Sequence, residues 1–150
     1  GYKGIEMGRK TRIFPGIRIE AIDDGEIIIG DNCAIEQNVH IICKNDKLII
    51  GDNTTISANV FISNVNHEYQ DIHRSVMEQP LLEKHTIIGK GCFIGYGACI
   101  LPGTQLGNHC IVGSNAVLNG IYPDNCVIVG MPGKVIKIYD KEHSEWRKRE

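Results

Sequence analysis

At 150 residues, of which 42% are hydrophobic, the chain can bury one core and no more. Sixteen Lys and Arg against 18 Asp and Glu give a formal net charge of −2, which excludes the broad cationic surface that nucleic acid demands. The longest apolar runs, residues 27–29 and 127–129, fall far short of a membrane span, and no signal-like segment is read at the N terminus, so a cytoplasmic protein is expected.

In chain order, the first 27 residues carry Ile13, Ile17, Ile19 and Ile22 without a clean period and predict an irregular first coil. From residue 28 a six-residue period sets in. One block runs Ile29, Ile35, Ile41 and a second runs Ile50, Ile56, Ile62. A third runs unbroken through Ile88, Ile94, Ile100, Leu106, Val112 and Leu118. The segment IIGDNCAIEQNVHI realigns on IIGDNTTISANVFI, so the chain is built on an internal repeat. Three hexads make a coil, which suits a triangular prism with one short parallel strand on each side, over residues 28–135. A strand alternates inward and outward side chains. The position two before each aliphatic therefore also points inward. It holds Cys33, Val39, Thr54, Val60, Cys92, Ala98, Thr104, Cys110 and Ala116, all small or β-branched as a narrow interior requires. The cysteines match no zinc spacing and contain no CxxC pair, so those at 33, 92 and 110 read as small buried fillers without redox chemistry.

The position between those two should face outward, yet it holds Phe61, Phe93, Ile111 and Val117. An outward apolar stripe implies burial against neighbouring chains, and threefold symmetry suits a three-sided prism, so a homotrimer is expected. Three interruptions break the period, the last of them a partial final coil in the sequence NGIYPDNCVIVGMPGKVIK after Leu118. Coils near residues 25–47 are longer than the rest by small corner insertions, and a long protruding loop occupies about residues 63–87. The tail, residues 138–150, is polar and predicts a short C-terminal helix capping the prism. The whole chain reads as a single all-β domain.

With GDN at 30–32 and 51–53, GYGACILPGTQLGNHCIVGSNAVL at 95–118 and VGMPGKVIK at 129–137 in view, residues 28–138 resemble the hexapeptide-repeat acyltransferases. The resemblance points to the galactoside and maltose acetyltransferase branch and to bacterial capsule and surface-polysaccharide O-acetyltransferases. It implies a left-handed parallel β-helix, a handedness that the period itself does not give. It also implies transfer from acetyl-CoA to a sugar or glycan hydroxyl, without a metal, at sites built between subunits. In that family one histidine of the long loop is the general base, and SNVNHEY at 63–69 places His67 there. Glu68 and Asp71 are the nearby carboxylates that could orient its ring, while His73 and His85 read as solvated or structural. The resemblance implies backbone amides at Tyr96 and Ser114 near the cofactor thiol. Phe93 stands where the family usually has Trp, and Lys134 and Lys137 stand near the nucleotide end. Acceptor contacts fall on Glu36, Asn38 and Glu68. The chain departs from the pattern at Gly120, where the family has a basic residue, and at Glu36, where the sugar-acetylating branch has Asn.

Other functions remain open at this level. The same prism serves N-acetyltransferases of amino-sugar nucleotides. It also serves γ-class carbonic anhydrases, whose zinc would need histidines such as His40, His67 and His73, and a catalytically silent prism completes the set.

Overall fold

The computed structural model describes residues 4–149. Three parallel sheets form the sides of a prism, and the chain visits them in the same order in every coil. The first face stacks Ile5–Met7, Glu26–Ile29, Lys47–Ile50, Ile87–Ile88, Gln105–Leu106 and Ile121–Tyr122. The second face stacks Arg12–Ile13, Ala34–Ile35, Thr55–Ile56, Phe93–Ile94, Ile111–Val112 and Cys126–Val129. The third face stacks Arg18–Ile22, His40–Lys44, Phe61–Ser63, Cys99–Ile100 and Val117–Leu118. The architecture is an all-β solenoid of the left-handed β-helix kind.

The repeat determines the interior. Ile29, Ile35 and Ile41 form one layer, and the next two coils repeat it with Ile50, Ile56, Ile62 and then Ile88, Ile94, Ile100. All are buried, as are Leu106, Val112 and Leu118 above them. Each such side chain contributes about 1.5–3 kcal/mol by leaving water. The small inward column is buried without exception.

The GDN motif explains the corner between the first and second faces. A Cβ at Gly30 would collide with the Asp52 carboxylate of the next coil, so the backbone can pass only as glycine. The Asp accepts from the coil below: Arg9 N donates to Asp31 Oδ1 at 2.7 Å and Asp31 N to Asp52 Oδ1 at 2.8 Å. The ladder resumes at Lys90 to Asn108 (2.8 Å) and Asn108 to Asp124 (2.7 Å). The following residue turns the chain in the left-handed region, with φ of 52° at Asn32 and 59° at Asn53, where Asn is tolerated.

Every irregularity in coil length lies at the corner between the third and first faces. The first two corners always keep the six-residue step; only this one changes length. It is long between Ile19 and Ile29 and again between Ile41 and Ile50, where the added residues bring Ile27, Cys43 and Leu48 into the core. It is short between Leu118 and Tyr122. The long loop leaves from the same corner as an antiparallel arm, Val65–His67 paired with Leu81–Glu83, with His67 opposite Leu81.

The tail corrects the expectation of a helix. Lys134–Asp140 folds back antiparallel on Cys126–Val129, and Glu145–Lys148 pairs with it in turn, so the second face grows by two antiparallel strands. The reason is local. The segment DKEHSEWRKRE carries one large apolar residue, Trp146, which cannot make a helical stripe but packs edge-on against Tyr139 at 5.4 Å in a hairpin. Asp140 Oδ1 accepts from the backbone N–H groups of Glu142 and His143 and closes the turn.

Candidate active site

The residues singled out by sequence fall on two different corners of the protomer. At the third–first corner stands the arm with His67, whose ring is exposed to solvent. Its base is fixed by a side chain that imitates backbone. Asn64, buried, accepts from Lys44 N at 2.8 Å and donates to Lys44 O at 2.9 Å. Lys44 adds ion pairs to Glu83 at 3.0 Å and to Asp23 at 3.4 Å across the same corner. The arm tip is organised by Gln79. Its Oε1 accepts from Asp71 N, and its Nε2 donates to the carbonyls of Asp71 and Arg74.

Among the described residues no side chain hydrogen-bonds the His67 ring. Asp71 instead accepts from the backbone of His73 at 3.0 Å, which occupies one of its oxygens in the tip turn. The Glu68 backbone donates to Pro80 O across the arm, and its side chain is half-buried beside His67 in sequence. His73 is exposed at the tip, and His85 pairs with Asp46 at 3.1 Å near the base of the arm.

At the second–third corner the coils place equivalent residues one above another, about 4.8 Å apart. Gln37, Ala58, Tyr96 and Ser114 form one such column, bracketed by Glu36, Ser57, Gly95 and Gly113 on one side and Asn38, Asn59, Gly97 and Asn115 on the other. Asn38 holds the left-handed turn conformation, with φ of 59°, shared by Asn59 and Asn115. Among the described residues, neither the Tyr96 nor the Ser114 backbone N–H has a protein acceptor; the flanking amides of Gly95, Gly97, Gly113 and Asn115 all do. The same holds for Gln37 and Ala58, so the corner presents a column of N–H groups without a protein acceptor among the described residues, one per coil, with Tyr96 and Ser114 the last two. The Tyr96 phenol lies along the edge and accepts from Asn59 Nδ2 at 2.7 Å. Lys134 begins the strand that crosses the second face from this corner, and Lys137 follows opposite Val127. Both lysines are exposed, and among the described residues neither is in an ion pair. Phe93 faces outward on the second face, 45% exposed.

Sequence reasoning passed over one pair. His40 Nε2 lies 2.9 Å from Glu20 Oε2 on the outside of the third face, edge-on to Phe61, with Arg18 on the other Glu20 oxygen. The His40 hydrogen bond is the main cause holding the Glu20 carboxyl below its ordinary range. Only the 22-residue offset of the first coil, which pairs Arg18 with His40, brings these residues together. The three histidines named for zinc, His40, His67 and His73, form no cluster among the described residues of one protomer.

Comparison with known proteins bears on the family and the fold. The family profile described as "Bacterial transferase hexapeptide (six repeats)" matches residues 85–120. The putative lipopolysaccharide biosynthesis O-acetyl transferase WbbJ of Escherichia coli (strain K12) is 36% identical over 96% of this chain and 76% of its own length. A hexapeptide-repeat-containing acetyltransferase from Vibrio cholerae O1 biovar eltor, complexed with acetyl coenzyme A, superposes with a TM-score of 0.79 at 23% identity, covering 91% of this chain and 72% of that one. A galactoside acetyltransferase in complex with coenzyme A gives 0.78 at 24%, covering 97% and 70%. At those identities the two structures bear on the fold, and the fold is the same.

Proposed function

The chain belongs to the family of bacterial hexapeptide-repeat transferases, an acetyltransferase family, and on that premise we propose that it transfers acetyl from acetyl-CoA to a hydroxyl of a sugar or polysaccharide. The observation that carries the reading is the column of amides without a protein acceptor among the described residues, whose last two members, Tyr96 and Ser114, lie on an edge that ends at Lys134 and Lys137, neither in an ion pair among those residues. A long substrate with a thioester at one end and phosphates at the other suits that edge: N–H donors meet the acyl end, and cations meet the charged end. Phe93 offers a flat apolar surface beside it.

In this reading His67 is the general base. An imidazole ordinarily titrates near neutrality and can take the proton of a sugar hydroxyl as its oxygen attacks the thioester carbonyl. The carbonyl oxygen becomes an oxyanion, held by an outward amide. Its collapse breaks the carbon–sulfur bond, and the imidazolium returns the proton to the departing thiolate. Glu36, Asn38 and Glu68 are the proposed acceptor contacts.

His67 and the two amides occupy different corners of one protomer, so a complete site needs the third–first corner of one copy against the second–third corner of another. This supports a homotrimer, in which three such pairings close symmetrically. The half-buried Phe61, Ile111 and Val117 supply apolar surface for the contacts.

The test is thiol release from acetyl-CoA with a panel of hydroxylated sugars and glycans. Wild-type enzyme should release CoA with an acceptor, and His67→Ala should lose about 10²–10⁴-fold in kcat. A loss of less than about tenfold would mean that another group takes the proton. Light scattering should return three times the protomer mass of 16.6 kDa; a stable monomer would leave the two halves of the site apart.

A further inference from the structure

The remaining corner, between the first and second faces, carries a feature the fold does not require. In the other coils its left-handed turn position takes Lys, Asn or Gly: Lys10, Asn32, Asn53, Gly91 and Asn125. The fifth coil alone places an imidazole there, at His109 with φ of 51°. Over it opens a cavity of about 400 Å³ lined by His109, Asn125, Tyr139 and Trp146. The C-terminal hairpin builds the opposite wall. Tyr139 N donates to Asn125 O at 2.9 Å, which seats the strand on the corner, and Trp146 sits across from Tyr139 in the pairing register. The Trp146 ring lies face to face with His109 (centroids 6.4 Å apart, planes 27° apart) and edge-on to Tyr139. Trp146 keeps 38% of its surface exposed, so the apolar wall is open to a ligand.

The chemistry of the lining selects the ligand. Aromatic surface alternates with an amide and an imidazole, and among the described residues that line it none carries an acid or a lysine or arginine. A phosphate or carboxylate finds no lysine or arginine among them. A neutral pyranose fits on both counts, with its C–H face against the aromatic wall and its hydroxyls toward Asn125 and His109. The volume lies in the range of small-molecule pockets.

We propose that this cavity binds a neutral pyranose unit of a glycan chain. It stands on neither the corner of His67 nor that of the Tyr96 and Ser114 amides, so it holds a sugar other than the one being acetylated. The proposal deepens the glycan-acceptor reading above and rests on it for its biological role, but binding is measured without turnover.

Trp146 is the single tryptophan of the chain, so its fluorescence reports the cavity directly. Maltohexaose, cellohexaose and chitohexaose are titrated against the full chain, with AMP as the planar, charged comparison. At least one oligosaccharide should give a saturable spectral shift. His109→Asn, which restores the residue that this corner uses in other coils, should weaken it by about fivefold or more while leaving the melting temperature unchanged. His67→Ala should bind as wild type, which separates this result from any failure of the catalytic assignment. The proposal is overturned by the absence of a saturable shift with all three sugars up to about 10 mM, by an unchanged affinity in His109→Asn, or by a response to AMP alone, which would mark a nucleobase pocket.

Discussion

Cysteine and threonine exchange freely along one inward column, and the reason is a hydrogen bond rather than size alone. Thr11 Oγ1 donates to Gly30 O at 2.7 Å, Cys33 Sγ to Gly51 O at 3.2 Å, and Thr54 Oγ1 to Gly89 O at 2.9 Å. Cys92 Sγ reaches Gly107 O at 3.2 Å and Cys110 Sγ reaches Pro123 O at 3.1 Å. Each side chain satisfies the corner carbonyl of the next coil. The period identified all of these positions but Thr11 as inward and small, yet it could not show the donor role, because the acceptor lies a whole coil away. Cys92→Thr should therefore leave stability nearly unchanged, whereas Cys92→Val, of the same shape without a donor, should be less stable than Cys92→Thr by about 1–3 kcal/mol. Urea unfolding of the two variants makes the comparison; equal midpoints would reduce the column to packing. Burial also pushes the thiols of Cys33 and Cys43 above their ordinary range, which keeps them inert. Glu20 is the opposite case. Its carboxyl is held down chiefly by the His40 hydrogen bond. A depressed carboxyl adds stability above its unfolded pKa, near the ordinary 4.5, and loses it as pH falls through the lower folded value. Glu20→Gln should flatten the acid side of a stability–pH curve below about 4.5, with little change at neutral pH.

Among the elements, the arm and the C-terminal hairpin mark where sequence reading succeeded in part. The arm's place was legible from the break between Ile62 and Ile88. Its antiparallel form was not, because Val65–His67 and Leu81–Glu83 are short and their pairing depends on Asn64 docking to the Lys44 backbone. Asn64→Ala would bury the Lys44 amide and carbonyl without partners, a cost of about 1–3 kcal/mol for each group so exposed to loss. The arm should then loosen before the prism does. Hydrogen exchange would show this as early labelling of residues 64–83 with the coil amides still protected. Uniform labelling of arm and coils together would mean the Asn64 bonds stabilise the whole prism instead. The hairpin was misread as a helix for a related reason: its polar residues fit either form, and the aromatic contact that decides, Tyr139 on Trp146, spans a turn.

For the whole molecule, stability is close to a sum over stacked coils, each burying its neighbours' open faces. Irregular length is confined to the third–first corner, so the other two corners keep the layers in register from Ile13 to Ile128. This is why the prism, its handedness apart, could be read from spacing while the site could not: the prism is a local, repeated decision, and the proposed site joins corners that one protomer holds apart. The 18-residue step that sets Ile88 under Leu106 makes a direct test possible. Duplicating residues 88–105 in tandem adds one coil in register, so every aliphatic still points inward. The variant should fold with unchanged strand content and a melting temperature near that of wild type. Duplicating residues 88–105 with Gly97 omitted from the second copy instead shortens the second–third corner, which keeps its six-residue step in every coil, and turns that copy's Ile100 outward; a one-residue slip exchanges the two faces of a strand. That variant should lose cooperative melting. The in-register variant should still lose acetyl transfer, because Lys134 then stands one coil, about 4.8 Å, farther from the first copy of Tyr96. Circular dichroism melts and the thiol-release assay read the two effects separately. Cooperative melting by both variants would mean that the six-residue register does not govern the core, and full activity in the longer prism would detach Lys134 from cofactor binding.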